Sequence, residues 1–252
     1  MKQKSFLMCV ILLMLTSLNF MACSDDEDVD NSISPSERKL ITVIDTPRGS
    51  HKATYDDKNR LLSVEVDEAN LGITSLEINY ENNIISTKTK YGEDIYAFTL
   101  NDRGYIETLT YEGRTKYYTY NKDGNLIDES LDGYHVVYEW KDGNLIRNYE
   151  FDESIEQIEA SCEFEYNNLL NVSGIYPHEA WVYVGTEFFE EQMQYDLIWA
   201  SDLFGKKSKN LMILSLSDEG EESTYKYITN EDGYVISCTR DNEDITSYYY
   251  NE

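Results

Sequence analysis

Between Tyr55 and Tyr250 apolar and polar residues alternate in short runs, and the runs return at a regular interval. Leu100, Tyr120 and Trp140 stand twenty residues apart, each closing an aromatic-rich alternating stretch. Phe98, Tyr118 and Tyr138 precede them by two residues, which puts each pair on one face of a strand. A polar turn holding Gly104, Gly124 or Gly143 follows, and then an aliphatic residue, Ile106, Leu126 or Leu145. The third turn is one residue shorter than the others. Looser copies flank these three. Tyr55 to Leu61 and Tyr80 to Ile84 carry Asn59 and Asn83 where the later copies carry glycine, and Tyr166 to Leu170 fits the same frame. Tyr225-Lys226-Tyr227 leads through Glu231-Asp232-Gly233 into Tyr234-Val235-Ile236. Glycine and asparagine are the residues that most readily take the left-handed backbone conformation a short hairpin turn needs. Strand, turn, strand, turn in this order predicts an antiparallel meander. A sheet of a dozen or more strands cannot stay flat. The expected fold is therefore all-β: tandem hairpins over residues 38–252, curling into a half-open or closed barrel.

Within one repeat, Tyr134, Val136, Tyr138 and Trp140 alternate with His135, Val137 and Glu139, so one face should be buried and the other mostly solvated. The 22 tyrosines suit such half-buried pleated surfaces. A membrane-spanning barrel does not fit, because the outward positions carry charge and the strands are short. One stretch breaks the β pattern. Thr186 can cap a helix, Glu187 and Glu190 follow in its first turn, and Phe189, Met193 and Leu197 recur every four residues. This predicts one helix over residues 186–200, packed on the sheet.

The first 37 residues follow other rules. Lys2 and Lys4 precede an apolar run from Phe6 to Leu18, too short to cross a bilayer as a helix and flanked as a secretory signal is. The run ends in Leu18-Asn19-Phe20-Met21-Ala22-Cys23, which resembles a bacterial lipobox with Phe20 in the usual leucine place. Residues 1–22 are thus expected to leave as a signal peptide, with Cys23 lipidated as the first mature residue. Ser24-Asp25-Asp26-Glu27-Asp28 opens an acidic tether over residues 23–37. Such starts are similar to those of Gram-negative outer-membrane lipoproteins. Several acyl chains on one residue anchor a protein stably without any spanning segment. The resemblance places the domain at the outer membrane and on the cell surface, with the periplasmic face as the alternative.

Charge narrows the partners. Without Lys2 and Lys4 the mature chain has 19 basic residues against 48 acidic ones, a net charge of −29. Such a surface repels phosphates and anionic lipid headgroups, so nucleic acid falls away as a partner and membrane contact is left to the lipid on Cys23. Cys9 leaves with the signal peptide, which leaves Cys162 and Cys238. These two either pair in an oxidising envelope or stay as separate buried thiols.

The one basic cluster lies in Phe204-Gly205-Lys206-Lys207-Ser208-Lys209-Asn210-Leu211. Together with the Tyr-x-Tyr-(polar)-Gly-x-Leu units, which look like the YD-type repeats of Rhs-like shells, it brings a family into view. The arrangement resembles a family of Bacteroides-type Gram-negative lipoproteins that combine this signal peptide, YD-like hairpins and a late Gly-Lys-x-Ser-Lys-Asn-Leu motif. Here the motif stands as Gly205, Lys206, Ser208, Lys209, Asn210 and Leu211, with Met212 where relatives often have proline. The resemblance covers roughly residues 38–252 and implies a porin-like fold in the sense of a curled antiparallel sheet. It carries over no catalytic residue.

Chemical signatures are few. His178-Glu179 opens like a zinc-protease motif without its second histidine, and there is no GxSxG elbow and no phosphate-binding glycine loop. Asn121 to Asn125 is a hairpin turn and lacks the ligands of a calcium loop. Adjacent carboxylates such as Asp152 and Glu153 are expected by chance among 48 acids. No enzyme, metal site or cofactor is expected. Lys206, Lys207 and Lys209 form either a structural turn or an anion or partner contact, and Trp181 and Trp199 are candidate contacts for a glycan. The expected role is a non-enzymatic binding or scaffold module for a glycan or protein ligand. The alternative is an envelope assembly protein, with glycan hydrolysis as a smaller third possibility.

Overall fold

The computed structural model describes residues 38–68, 73–89, 92–176 and 202–251. Among these residues sixteen strands follow one another: β1 (Ile41–Thr46), β2 (Gly49–Tyr55), β3 (Leu61–Glu68), β4 (Ile73–Asn79), β5 (Ile84–Thr89), β6 (Glu93–Leu100), β7 (Ile106–Tyr111) and β8 (Arg114–Tyr120). Then come β9 (Leu126–Leu131), β10 (Tyr134–Lys141), β11 (Asn144–Asp152), β12 (Gln157–Leu170), β13 (Asn210–Ser217), β14 (Glu222–Thr229), β15 (Val235–Arg240) and β16 (Asp244–Tyr250). Each pairs antiparallel with the next, and β1 pairs with β16, so the meander closes. Of the two expected forms, half-open and closed, the closed barrel is the one observed. The helix expected over 186–200, like Cys23 and the rest of residues 1–37, lies outside the described residues.

Why each repeat folds as it does can be traced atom by atom. In several of the turns the first residue is Asp or Asn, and its side chain accepts two turn amides. Asp56 accepts from Lys58 and Arg60, Asn121 from Asp123 and Asn125, and Asn230 from Asp232 and Tyr234. Gly104, Gly124 and Gly233 then take positive φ, and Asn59 and Asn83 do so in the earlier copies. The closing aromatic ties its repeat to the preceding one through its polar tip. Tyr55 donates to the Ile41 carbonyl, Tyr120 to Ile106, Trp140 to Leu126 and Tyr250 to Val235, at 2.6–2.7 Å. That is why the position favours an aromatic with a donor. A register shift beside Tyr55, Leu100, Tyr120 and Trp140 bends the wall once per repeat and promotes closure.

A barrel of sixteen strands ordinarily leaves a wide lumen. Here inward side chains fill it. Leu61, Val64, Leu76, Ile85, Ile106, Leu109 and Leu145 are all 0% exposed, and Tyr96, Phe98, Tyr118, Tyr138 and Phe164 pack among them. Charged residues such as Glu65, Glu77, Lys88, Glu163 and Glu165 face solvent. Tyr134 departs from the expected buried face: it starts its strand beside the Gly133 turn and is 53% exposed. Apolar inside and charged outside is the reverse of a membrane-spanning barrel.

Candidate functional site

The long turns and both chain ends of the barrel share one rim. Residues 171–176 and 202–209, the described parts of the β12–β13 connection, pack against this rim. Leu203, Phe204, Ile175 and Tyr176 are buried in the core, with the Phe204 ring edge-on to Tyr118 at 5.2 Å. Backbone bonds join the connection to successive hairpins: Ile106 N–H donates to the Leu203 carbonyl, Lys206 N–H to Gly124 and Lys209 N–H to Gly143, at 2.8–2.9 Å. Two buried serines pin its ends. Ser208 Oγ accepts from Leu145 N–H and donates to the Tyr166 hydroxyl. Ser173 Oγ accepts from Val235 N–H and lies 2.9 Å from the Tyr250 hydroxyl oxygen. Arg38, where the chain enters the barrel, donates to the Ser173 carbonyl and pairs with Asp202 at 2.8 Å.

The lysine motif is therefore the cap of the barrel, and its three lysines do not converge. Lys206 is exposed, and the Lys209 side chain lies over Gly143. Burial pushes the Lys207 ammonium down to about 7; the charge of Asp202 opposes this and that of Arg38 adds to it. Of the two roles expected for the cluster, the structural one has geometric support. Trp181 and Trp199 lie outside the described residues. Cys162 on β12 and Cys238 on β15 are unbridged, with two strands between them. Burial raises the first thiol to about 11 and the second to about 12, so both stay protonated.

Two polar constellations escaped the sequence reading. Inside the barrel, Lys116 Nζ lies 2.6 Å from Glu129 Oε2, with the two side chains 5% and 4% exposed. The Tyr138 hydroxyl donates to Glu129 Oε1. On the outer face, His135 Nδ1 is 2.9 Å from Asp128 and Nε2 is 3.2 Å from Glu153. Burial opposes the imidazolium charge, but hydrogen bonds and charges from Asp128 and Glu153 outweigh it and raise the histidine above 6.5. The added stability is fully present below the unfolded value and is lost as pH rises through the raised folded one. Denaturant midpoints should therefore fall between about pH 6 and 8, and His135→Gln should flatten that fall.

A groove of about 380 Å³ opens on the outer wall of β10–β13. Ile146, Leu214 and Leu216 supply its apolar lining, and Glu139, Arg147, Glu163 and Glu165 its charge. Glu139 and Glu163 are the Cα partners of Arg147 on either side. The Arg147 guanidinium lies 5.1 Å from the centre of the Tyr149 ring. Such a site can hold a small polar ligand by hydrogen bonds to fixed charges over an apolar floor.

No family model matches the chain, and no curated protein matches it in sequence. Solved structures do. A porin-like protein from Bacteroides uniformis superposes with a TM-score of 0.58 at 16% identity, over 84% of this chain and 95% of that one. The fold is porin-like. A second porin-like protein, from Bacteroides vulgatus, gives a TM-score of 0.53 at 13% identity, over 84% of this chain and 99% of its own. At these identities the likeness extends to the barrel and its closure, and the porin-like barrel of this chain keeps its own side-chain chemistry.

Proposed function

We propose that the chain is an outer-membrane-anchored lipoprotein whose porin-like barrel works as a non-enzymatic binding or scaffold module. The observation that carries this reading is the polarity of the wall. Among the described residues the interior is packed with apolar side chains, and a charged exterior favours water over lipid. The barrel then needs a separate hold on the membrane. A lipid on Cys23, followed by the acidic tether of residues 24–37, supplies it. Binding falls to the outer wall, because residues 171–176 and 202–209 pack over the described rim. The net charge of −29 on the mature chain, 19 basic residues against 48 acidic ones, turns away acidic partners and favours neutral or basic ones.

Protease shaving of intact cells that carry the full-length protein with a C-terminal tag tests the reading. Loss of the tag without lysis, with a periplasmic control intact, supports display at the surface. Protection until lysis overturns surface display and moves the module to the periplasmic side, where crosslinking to envelope proteins would identify an assembly role.

A further inference from the structure

The outer-wall groove has a chemistry that selects its ligand. Glu139 on β10, Arg147 on β11 and Glu163 on β12 form one row, because each is the register partner of the next. With strands roughly 4.8 Å apart, the row is about 10 Å long. Leu216 on β13 is the partner of Glu163 and continues the row with an apolar side chain. Arg147 Nε is buried and finds no hydrogen-bond partner among the described residues. A buried donor of this kind costs stability unless something accepts from it.

We propose that this row is a saccharide subsite that takes an uncharged glycan, an inference that rests on the binding-module reading above. The sign pattern excludes the other classes. An anion meets two flanking carboxylates and a strongly negative chain, and a cation meets Arg147 at the centre of the row. A neutral polyol satisfies both kinds of group at once: its oxygens accept from Arg147, and its hydroxyls donate to Glu139 and Glu163. The C–H face of a sugar ring rests on Leu214 and Leu216. The groove volume of about 380 Å³ falls within the range of small-ligand sites.

Affinity electrophoresis of the full chain tests this, with dextran, yeast mannan, galactomannan and xyloglucan as uncharged polysaccharides and polygalacturonate as the acidic one. At least one uncharged polymer should retard the protein, and polygalacturonate should not. Arg147→Ala and Glu163→Gln should each weaken the retardation about tenfold, a loss of about 1.4 kcal/mol. Arg147→Lys keeps the charge and loses the planar fork. It should fold with the parent's thermal midpoint and still lose binding, which separates recognition from a purely structural charge ladder. The proposal is overturned if no uncharged polymer retards the parent, if the variants bind as the parent does, or if polygalacturonate binds through the same row. Absence of glycan binding in a protein that shaving places outside the cell removes the subsite and leaves the binding-module reading in place.

Discussion

Replacing Gly205 with alanine is expected to destabilise the barrel by about 3 kcal/mol, by adding steric overlap to an unfavourable backbone conformation. Gly205 has φ +89°, a conformation that residues with a Cβ rarely adopt. The added Cβ would lie 2.5 Å from the Gly124 carbonyl oxygen and 3.0 Å from the Tyr120 ring. Neither neighbour can yield at small cost. The Gly124 carbonyl accepts from Lys206 N–H, and the Tyr120 hydroxyl is bound to the Ile106 carbonyl. The overlap therefore acts on the bonds that hold the cap to the β8–β9 hairpin. For a domain of this size the loss corresponds to a fall of roughly 6–12 °C in thermal midpoint, readable by circular dichroism. Gly113, with φ +81° and nothing within 4 Å of its Cβ position, provides the control: alanine there should cost less.

The second large effect is expected inside the wall. Lys116→Met leaves the Glu129 carboxylate buried with only the Tyr138 hydroxyl among its two described partners. Breaking a buried ion pair from one side costs about 3–5 kcal/mol, because the remaining charge has lost both water and its counterion. Lys116→Met combined with Glu129→Leu should recover much of that loss, since two apolar side chains replace two desolvated charges. Urea midpoints of the parent, the two single variants and the double variant form a cycle that reads the coupling directly. Additive losses would show that the pair is not coupled in the folded state.

The legible and illegible parts of this chain divide by range. The turn chemistry was readable because it is local: Asx side chains, Gly104, Gly124 and Gly233, and their stand-ins Asn59 and Asn83 all act within five residues. Curling of the sheet followed from the number of strands and their order, while closure itself rests on the β1–β16 pairing between the two ends of the chain. Cap formation was not readable, because Gly205 and Gly124 meet only where the β12–β13 connection packs against the rim, eighty-one residues along the chain. The lysine motif looked like a charge cluster in sequence, yet its structural content lies in Gly205, Ser208 and the backbone. Lys116 gave a partial signal. It sits two residues before Tyr118 and four before Tyr120, so the period of two already placed it on the inner face. What was missing was Glu129 as a partner, which depends on how β8 and β9 pair. The groove row was hidden for the same reason: Glu139, Arg147 and Glu163 become neighbours only through register, and a register shift between Glu139 and Trp140 sets the first pairing.

The central claim is that the barrel wall faces water and that a lipid on Cys23 is its hold on the membrane. The most direct test is fractionation of cells expressing Cys23→Ala behind a secretory signal whose cleavage needs no cysteine, without detergent, with far-ultraviolet circular dichroism on whichever fraction contains the protein. The account expects the variant in the soluble fraction with the β signature of the parent. A variant that stays in the membrane fraction and is released only by detergent would contradict it, because the wall itself would then be holding the lipid.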